Sequence, residues 1–120
     1  MGETDTGETD TGETMENCGR AKFGIGEIVT HRLFDYRGVV ADVDACFQGA
    51  DDWYERTAKT RPPKDRPWYT ILIHDGEHTT YVAERNLRRS DNARAVKHPL
   101  IDQYFVGRRG NGYAQRETVN

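Results

Sequence analysis

Apolar and polar residues alternate with period two in several stretches of the chain, the spacing of half-buried strands. Glu27 to Arg32 (EIVTHR) is short and β-prone, and a turn region, LFDYRG, leads from it into Val39 to Cys46 (VVADVDAC). In that second stretch, alternation puts Val39, Ala41 and Val43 on a core face and Val40, Asp42 and Asp44 on the other. Trp68 to His74 and Glu77 to Ala83 flank Asp75-Gly76, the two-residue signal for a type I′ hairpin, which pairs His74 with Glu77 and Ile73 with His78. Gln48 to Pro67 reads as one long polar loop. Within it Asp51 or Asp52 can cap one or two helical turns through Trp53 and Tyr54, closed by the Pro62-Pro63 pair. After Glu84 to Leu87 turns the chain, Arg88 to Lys97 is expected to be a charged loop. Pro99 suits the first turn of a short helix that sets Leu100, Ile101, Tyr104 and Phe105 against the core, with Gly107 placed to end it. The remainder, RRGNGYAQRETVN, is expected to fray.

Four or five short strands, one hairpin and no βαβ spacing predict a mainly β fold: a small, partly open antiparallel barrel with one long loop and a short C-terminal helix. An SH3-like barrel fits best, with an OB-like barrel as the alternative.

Composition narrows the core to part of the chain. The 120 residues have a mean hydropathy of −0.90 and 35% hydrophobic content, enough for one small domain. Residues 1–16 repeat GETDT, with six carboxylates and no basic residue, too polar to offset the entropy of ordering. Residues 1–19 therefore read as a disordered acidic leader, 20–106 as the barrel domain and 107–120 as a flexible tail. Removing the leader's six acids from the twenty leaves fourteen against seventeen Lys plus Arg, so the formal charge of −3 divides into −6 and +3. The excess permits nucleic-acid contact without demanding it. No apolar run approaches a membrane span, and the acidic start lacks the charge and hydropathy of a secretory signal, so a cytoplasmic protein is expected. Cys18 and Cys46 would staple little if paired, and reduced thiols are expected.

Most apparent chemical signals dissolve on inspection. Gly24-Ile25-Gly26 follows no strand, opens no helix and lacks a third glycine, so it reads as a backbone bend rather than a phosphate loop. Asp42 and Asp44 share a strand face at a separation a hydrolytic carboxylate pair could use, but no third acid or His completes a site. His74 and His78 fall on opposite faces of the hairpin and cannot share a metal, while His31 and His98 stand alone. The chain reads as a non-enzyme, with no metal and no cofactor. What remains is binding surface. Arg85, Arg88, Arg89, Arg94 and Lys97 form the one locally basic segment, which Arg32, Arg37, Arg56 and Arg61 extend if the loops converge. Trp53 and Trp68 are candidate aromatic contacts, whereas Tyr69 and Tyr81 suit core packing.

Several separated segments share one order: KFGIG (22–26), His31, YRGVVADVD (36–44), PWY (67–69), TYVAERNL (80–87), and HPL followed by YF (98–100, 104–105). Together they resemble the heat-shock protein HspQ family, also called the YccV-like or hemimethylated DNA-binding family. Ala45, where the family usually has proline, and the repeat leader depart from its pattern. The resemblance implies an SH3-like barrel that self-associates. It implies two activities: promotion of the degradation of selected or denatured proteins by ATP-dependent proteases, and binding of hemimethylated duplex DNA. On that reading Arg37, Asp42, Asp44, Arg85, Arg88, Arg89 and Lys97 are the candidate DNA or partner contacts.

Overall fold

A computed structural model describes residues 19–58 and 60–116. Its main sheet has five antiparallel strands in the order β4-β3-β2-β1-β5: β1 (Ile28–His31), β2 (Arg37–Asp44), β3 (Trp68–Ile73), β4 (Thr79–Ala83) and β5 (Leu87–Arg89). Helix α1 (Asp51–Thr57) lies in the long β2–β3 connection, and α2 (Ile101–Tyr104) precedes a separate two-stranded hairpin, β6 (Phe105–Arg109) and β7 (Gly112–Gln115). The fold is mainly β, with seven strands among the described residues.

Both faces of the sheet are covered. On one face Val29, Val40, Tyr69, Ile71, Val82 and Leu87, drawn from all five strands, form a single cluster with Phe23. Because the two outer strands contribute to it, the sheet is strongly curled. It is not closed, since among the described residues β4 pairs only with β3, and β5 only with β1. The opposite face packs Ile28, Val39, Ala41 and Leu72 against Val96, Phe105 and Tyr113, and Trp68 and Ala83 against Tyr54 of α1.

The alternation expected along β2 fails in the middle. The register slips between Val40 and Asp42, leaving Ala41 as the extra residue of a β-bulge. A bulge shifts the period by one, so Val43 joins Val40, and Asp42 and Asp44 come round to the side of Trp68. Val39, Val40 and Ala41 are all buried, so the expected half-buried strand is buried on both faces through its centre.

Three other expectations are corrected. The β3–β4 register is the one expected, with Leu72 opposite Thr79, but its turn is not type I′. The Gly76 N–H donates to the Ile73 carbonyl at 2.9 Å, and Asp75, not Gly76, takes the positive φ of 66°. Asp tolerates that conformation better than most side chains. Leu87–Arg89, assigned to turn and loop, forms strand β5 on the free edge of β1. The end expected to fray forms β6 and β7 through Gln115, because Tyr113 is buried against Phe105 and its hydroxyl accepts the Val96 N–H at 2.8 Å.

Helix α1 lies where it was expected, with Ala50 rather than an aspartate at the cap and Asp51 and Asp52 in its first turn. There their charge complements the helix dipole. The reduced state expected for the cysteines is corrected at Cys46, which is disulfide-bonded. Neither compartment nor a small entropic gain decides whether a sulfur has a partner in reach. Cys18 and the acidic repeat lie outside the described residues.

Gly26 confirms the bend expected of the glycine pair. Its φ is +97°, and a Cβ there would meet the Tyr113 carbonyl oxygen. The Gly26 N–H donates to Val40 O and its carbonyl accepts the Tyr113 N–H, both at 2.8 Å. This one residue joins β2 to β7.

Candidate functional site

The basic segment is divided by strand geometry. Neighbours on a strand point to opposite faces, and Arg88 and Arg89 lie on β5. Arg89 turns to the side of Leu87, where its guanidinium meets Glu27 at 2.6 Å and sits over the Phe23 ring. Arg88 turns the other way, beside its cross-strand neighbour Thr30. Arg85, on the 3-10 turn before β5, donates to the Thr60 carbonyl at 2.6 Å.

Arg88 and Arg37 come together at the walls of an open cleft of about 440 Å³, also lined by Asp35, Tyr36, His74, Ser90, Asp91 and Asn92. Arg88 meets Asp91 at 3.6 Å, but that carboxylate is 98% exposed, a pairing worth little in water. Ser90, Asp91 and Asn92 line the cleft, and the segment they open, residues 90–97, runs on from it as a wall that is clamped from two sides. The Arg37 guanidinium donates to the carbonyls of Arg94 at 2.7 Å and Ala95 at 3.3 Å. Arg108 of β6 donates to Ala93 O at 2.6 Å and lies over the Tyr113 ring. His74 holds the end of the wall: its Nδ1 accepts the Lys97 N–H at 2.9 Å, which leaves Nε2 to face Asp75 at 3.3 Å. The wall is therefore ordered, and it presents Arg94 and Lys97 outward, both exposed.

Other cations are occupied elsewhere. Arg56 pairs with Asp52 and Arg61 with Glu55, both around α1, so the loops do not converge into one basic patch. Residues 105–116, by contrast, carry Arg108, Arg109 and Arg116 with no Asp or Glu. They add a cationic ribbon beside the wall that the expectation of a frayed end had hidden. The Gly110-Asn111 pair at its tip was the sequence signal available.

Asp42 and Asp44 lie toward the far end of the eight-residue β2 from Arg37; its span is about 25 Å. Asp44 accepts the Tyr81 hydroxyl at 2.6 Å. Burial of Tyr81, together with this bond, raises its pKa far above the usual phenol value. Tyr69, raised likewise by burial and then by its bond to Glu84, spans to the N–H of Lys22 at 3.0 Å. These pairs fasten strands and connections. Trp68 is corrected as a contact candidate: it is 2% exposed, and its indole N–H donates to Pro63 O. Trp53 is half-buried, stacked against Phe47 and edge-on to Trp68.

Among the described residues no group of three or more His, Cys, Asp or Glu is placed to hold a metal ion, and no helix is long and apolar enough to cross a membrane. A family model described as hemimethylated DNA-binding protein YccV like matches residues 21–112, from before β1 into β7. The chain thus belongs to the YccV-like family of hemimethylated DNA-binding proteins.

Proposed function

We propose that the protein binds duplex DNA across the ordered wall of the cleft, with Arg88, Arg94 and Lys97 on phosphates, and that it prefers hemimethylated sites. The observation that carries this reading is the double clamp on residues 90–97, which holds a cationic rim in place before any partner arrives. Preorganisation of this kind lowers the ordering cost of binding. The described helices have seven and four residues, too short to serve as a recognition helix in the major groove, which also admits a two-stranded β-ribbon. The β6–β7 ribbon supplies one, with Arg109 and Asn111 exposed near its tip. Asn and Arg are the side chains suited to adenine and guanine edges. A single adenine methyl is then sensed by the ribbon, while the wall supplies affinity. We read the curled five-stranded sheet as an SH3-like, partly open barrel, and the protein as a cytoplasmic homo-oligomer.

Removing one cation from a phosphate lowers the slope of log K against log salt by about 0.9. Substituting Arg88→Gln or Lys97→Gln is expected to lower it by that amount, and Arg85→Gln to leave it unchanged. Equal effects from all three would refute the assignment to the wall.

A second reading, regulation of ATP-dependent proteolysis as an adaptor, is favoured by the exposed apolar pair Leu33 and Phe34, 56% and 73% exposed. Degradation of a model substrate by a purified protease, with and without the protein, tests it; an unchanged rate across several proteases argues against it.

A further inference from the structure

The two arginines that lead into the ribbon's turn face opposite ways, and a bulge decides which. The β6–β7 register slips between Phe105 and Gly107, leaving Val106 as the extra residue. On an unbroken strand, residues three apart point to opposite faces, and an extra residue shifts that period by one. Phe105 and Arg108 therefore come to the same side, where both meet the Tyr113 ring, at 5.3 and 5.0 Å from its centre. Arg109, paired across the ribbon with Gly112, turns the other way. Its side chain makes no hydrogen bond or ion pair among the described residues.

Arg108, in contrast, uses its guanidinium inside the molecule. Its Nε–H donates to the Gly112 carbonyl at 3.0 Å, across the ribbon, and its Nη2 donates to the Ala93 carbonyl of the wall at 2.6 Å. One rigid, planar group spaces the end of the ribbon from the wall. The neighbouring contacts fix other relations. Arg37 ties the wall to β2, Arg116 ties the root of the ribbon to the Asp102 and Phe105 carbonyls, and a Cβ on Gly112 would meet the Gly26 carbonyl oxygen. Tyr113 reaches the wall only at Val96, near its far end. Among the described residues Arg108 is then the one side chain of the ribbon hydrogen-bonded to the middle of the wall. We infer that Arg108 is a positioning residue for base reading: it sets the distance between the phosphate contacts Arg94 and Lys97 and the reading residues Arg109 and Asn111, and itself touches no DNA. The inference rests on the DNA reading above and divides it, assigning discrimination and affinity to separable residues. A charge acts on a phosphate over several ångströms, whereas a methyl group is felt only in contact, where a gap of about 0.5–1 Å forfeits a quarter to a half of the attraction. Loosening the spacer removes discrimination before it removes affinity.

The test titrates the full chain and its Arg108→Lys and Arg108→Gln variants with unmethylated and hemimethylated forms of one duplex over a salt series. Lysine keeps the charge but cannot span two acceptors. Wild type is expected to prefer the hemimethylated duplex, and both variants to lose that preference, a fall in the affinity ratio of roughly the tenfold that one methyl contact supplies. Their salt slopes should match wild type. A merely structural defect lowers the binding-competent fraction and weakens both duplexes alike, so an unchanged ratio in the variants overturns the inference. A slope lowered by about 0.9 in Arg108→Gln makes Arg108 a phosphate contact and overturns it too. Wild type without any preference refutes the DNA reading itself, before a variant is compared. The spacer is also read without DNA: in nitrogen-15 NMR of the unbound protein, the Arg108 Nε–H should exchange with water more slowly than that of Arg109. Equal, rapid exchange overturns the spacer whatever the duplexes show.

Discussion

Replacing Arg37 by lysine separates its charge from its geometry. Arg37 lies at the cleft, where sequence reasoning would make it a phosphate contact, yet its guanidinium spans the carbonyls of Arg94 and Ala95 across more than fifty residues of sequence. Lysine keeps the positive charge but cannot fork between two acceptors. A hydrogen bond from a charged donor is worth about 1.5–3 kcal/mol when shielded. Here the 2.7 Å bond is strong, the 3.3 Å bond is weaker, and the residue is only half-buried. We therefore expect Arg37→Lys to cost about 1–2 kcal/mol, the upper part of a surface effect and the lower part of a buried one. For a domain of this size that lowers the melting temperature by roughly 5–10 °C. Thermal unfolding by circular dichroism reads the loss, and hydrogen exchange should show faster exchange at Val96 and Lys97, whose N–H groups bond to Tyr113 and His74. Melting within about 1 °C of wild type, with unchanged exchange at both amides, would refute the clamp and return Arg37 to the role of a simple charge.

Gly26→Ala should be far more damaging than Gly24→Ala. The first forces a side chain into φ +97° and onto the Tyr113 carbonyl, whereas nothing lies within 4 Å of the second. Urea unfolding should show a loss of about 3 kcal/mol for the first and no more than about 0.5 for the second; similar losses would mean that the β2–β7 joint is not where the backbone is tight. Burial lowers the pKa of His31 below its ordinary 6.5. The unfolded chain therefore takes up a proton first as pH falls, and the stability His31 contributes above pH 6.5 is lost as pH drops through the lowered native value. Urea midpoints between pH 7.5 and 5 should fall in wild type and fall less in His31→Asn; parallel profiles would assign the acid sensitivity to other groups.

How far the sequence could be read depended on whether its signals were local. The β3–β4 register was legible because Asp75-Gly76 stands between two alternating runs, even though the turn formed one residue earlier than the motif suggested. The bulge at Ala41 was not legible, since VVADVD alternates well in isolation and only pairing with β3 reveals the extra residue. The hairpin at Phe105–Gln115 was missed because its stabilising contacts, Tyr113 to Val96 and to Gly26, are distant in sequence. The basic cluster showed the opposite failing. Arg85, Arg88 and Arg89 are neighbours in sequence but point to three surroundings, and Arg108, which shares the wall with Arg37, lay in a segment assigned to fraying.

Titrating one duplex sequence in its unmethylated, hemimethylated and fully methylated forms over a salt series asks whether a preformed cationic wall and the β6–β7 ribbon read hemimethylated DNA. The tightest binding is expected for the hemimethylated duplex, with the same salt slope for all three, because the phosphates contacted do not change. Equal, weak binding to the three duplexes would contradict it.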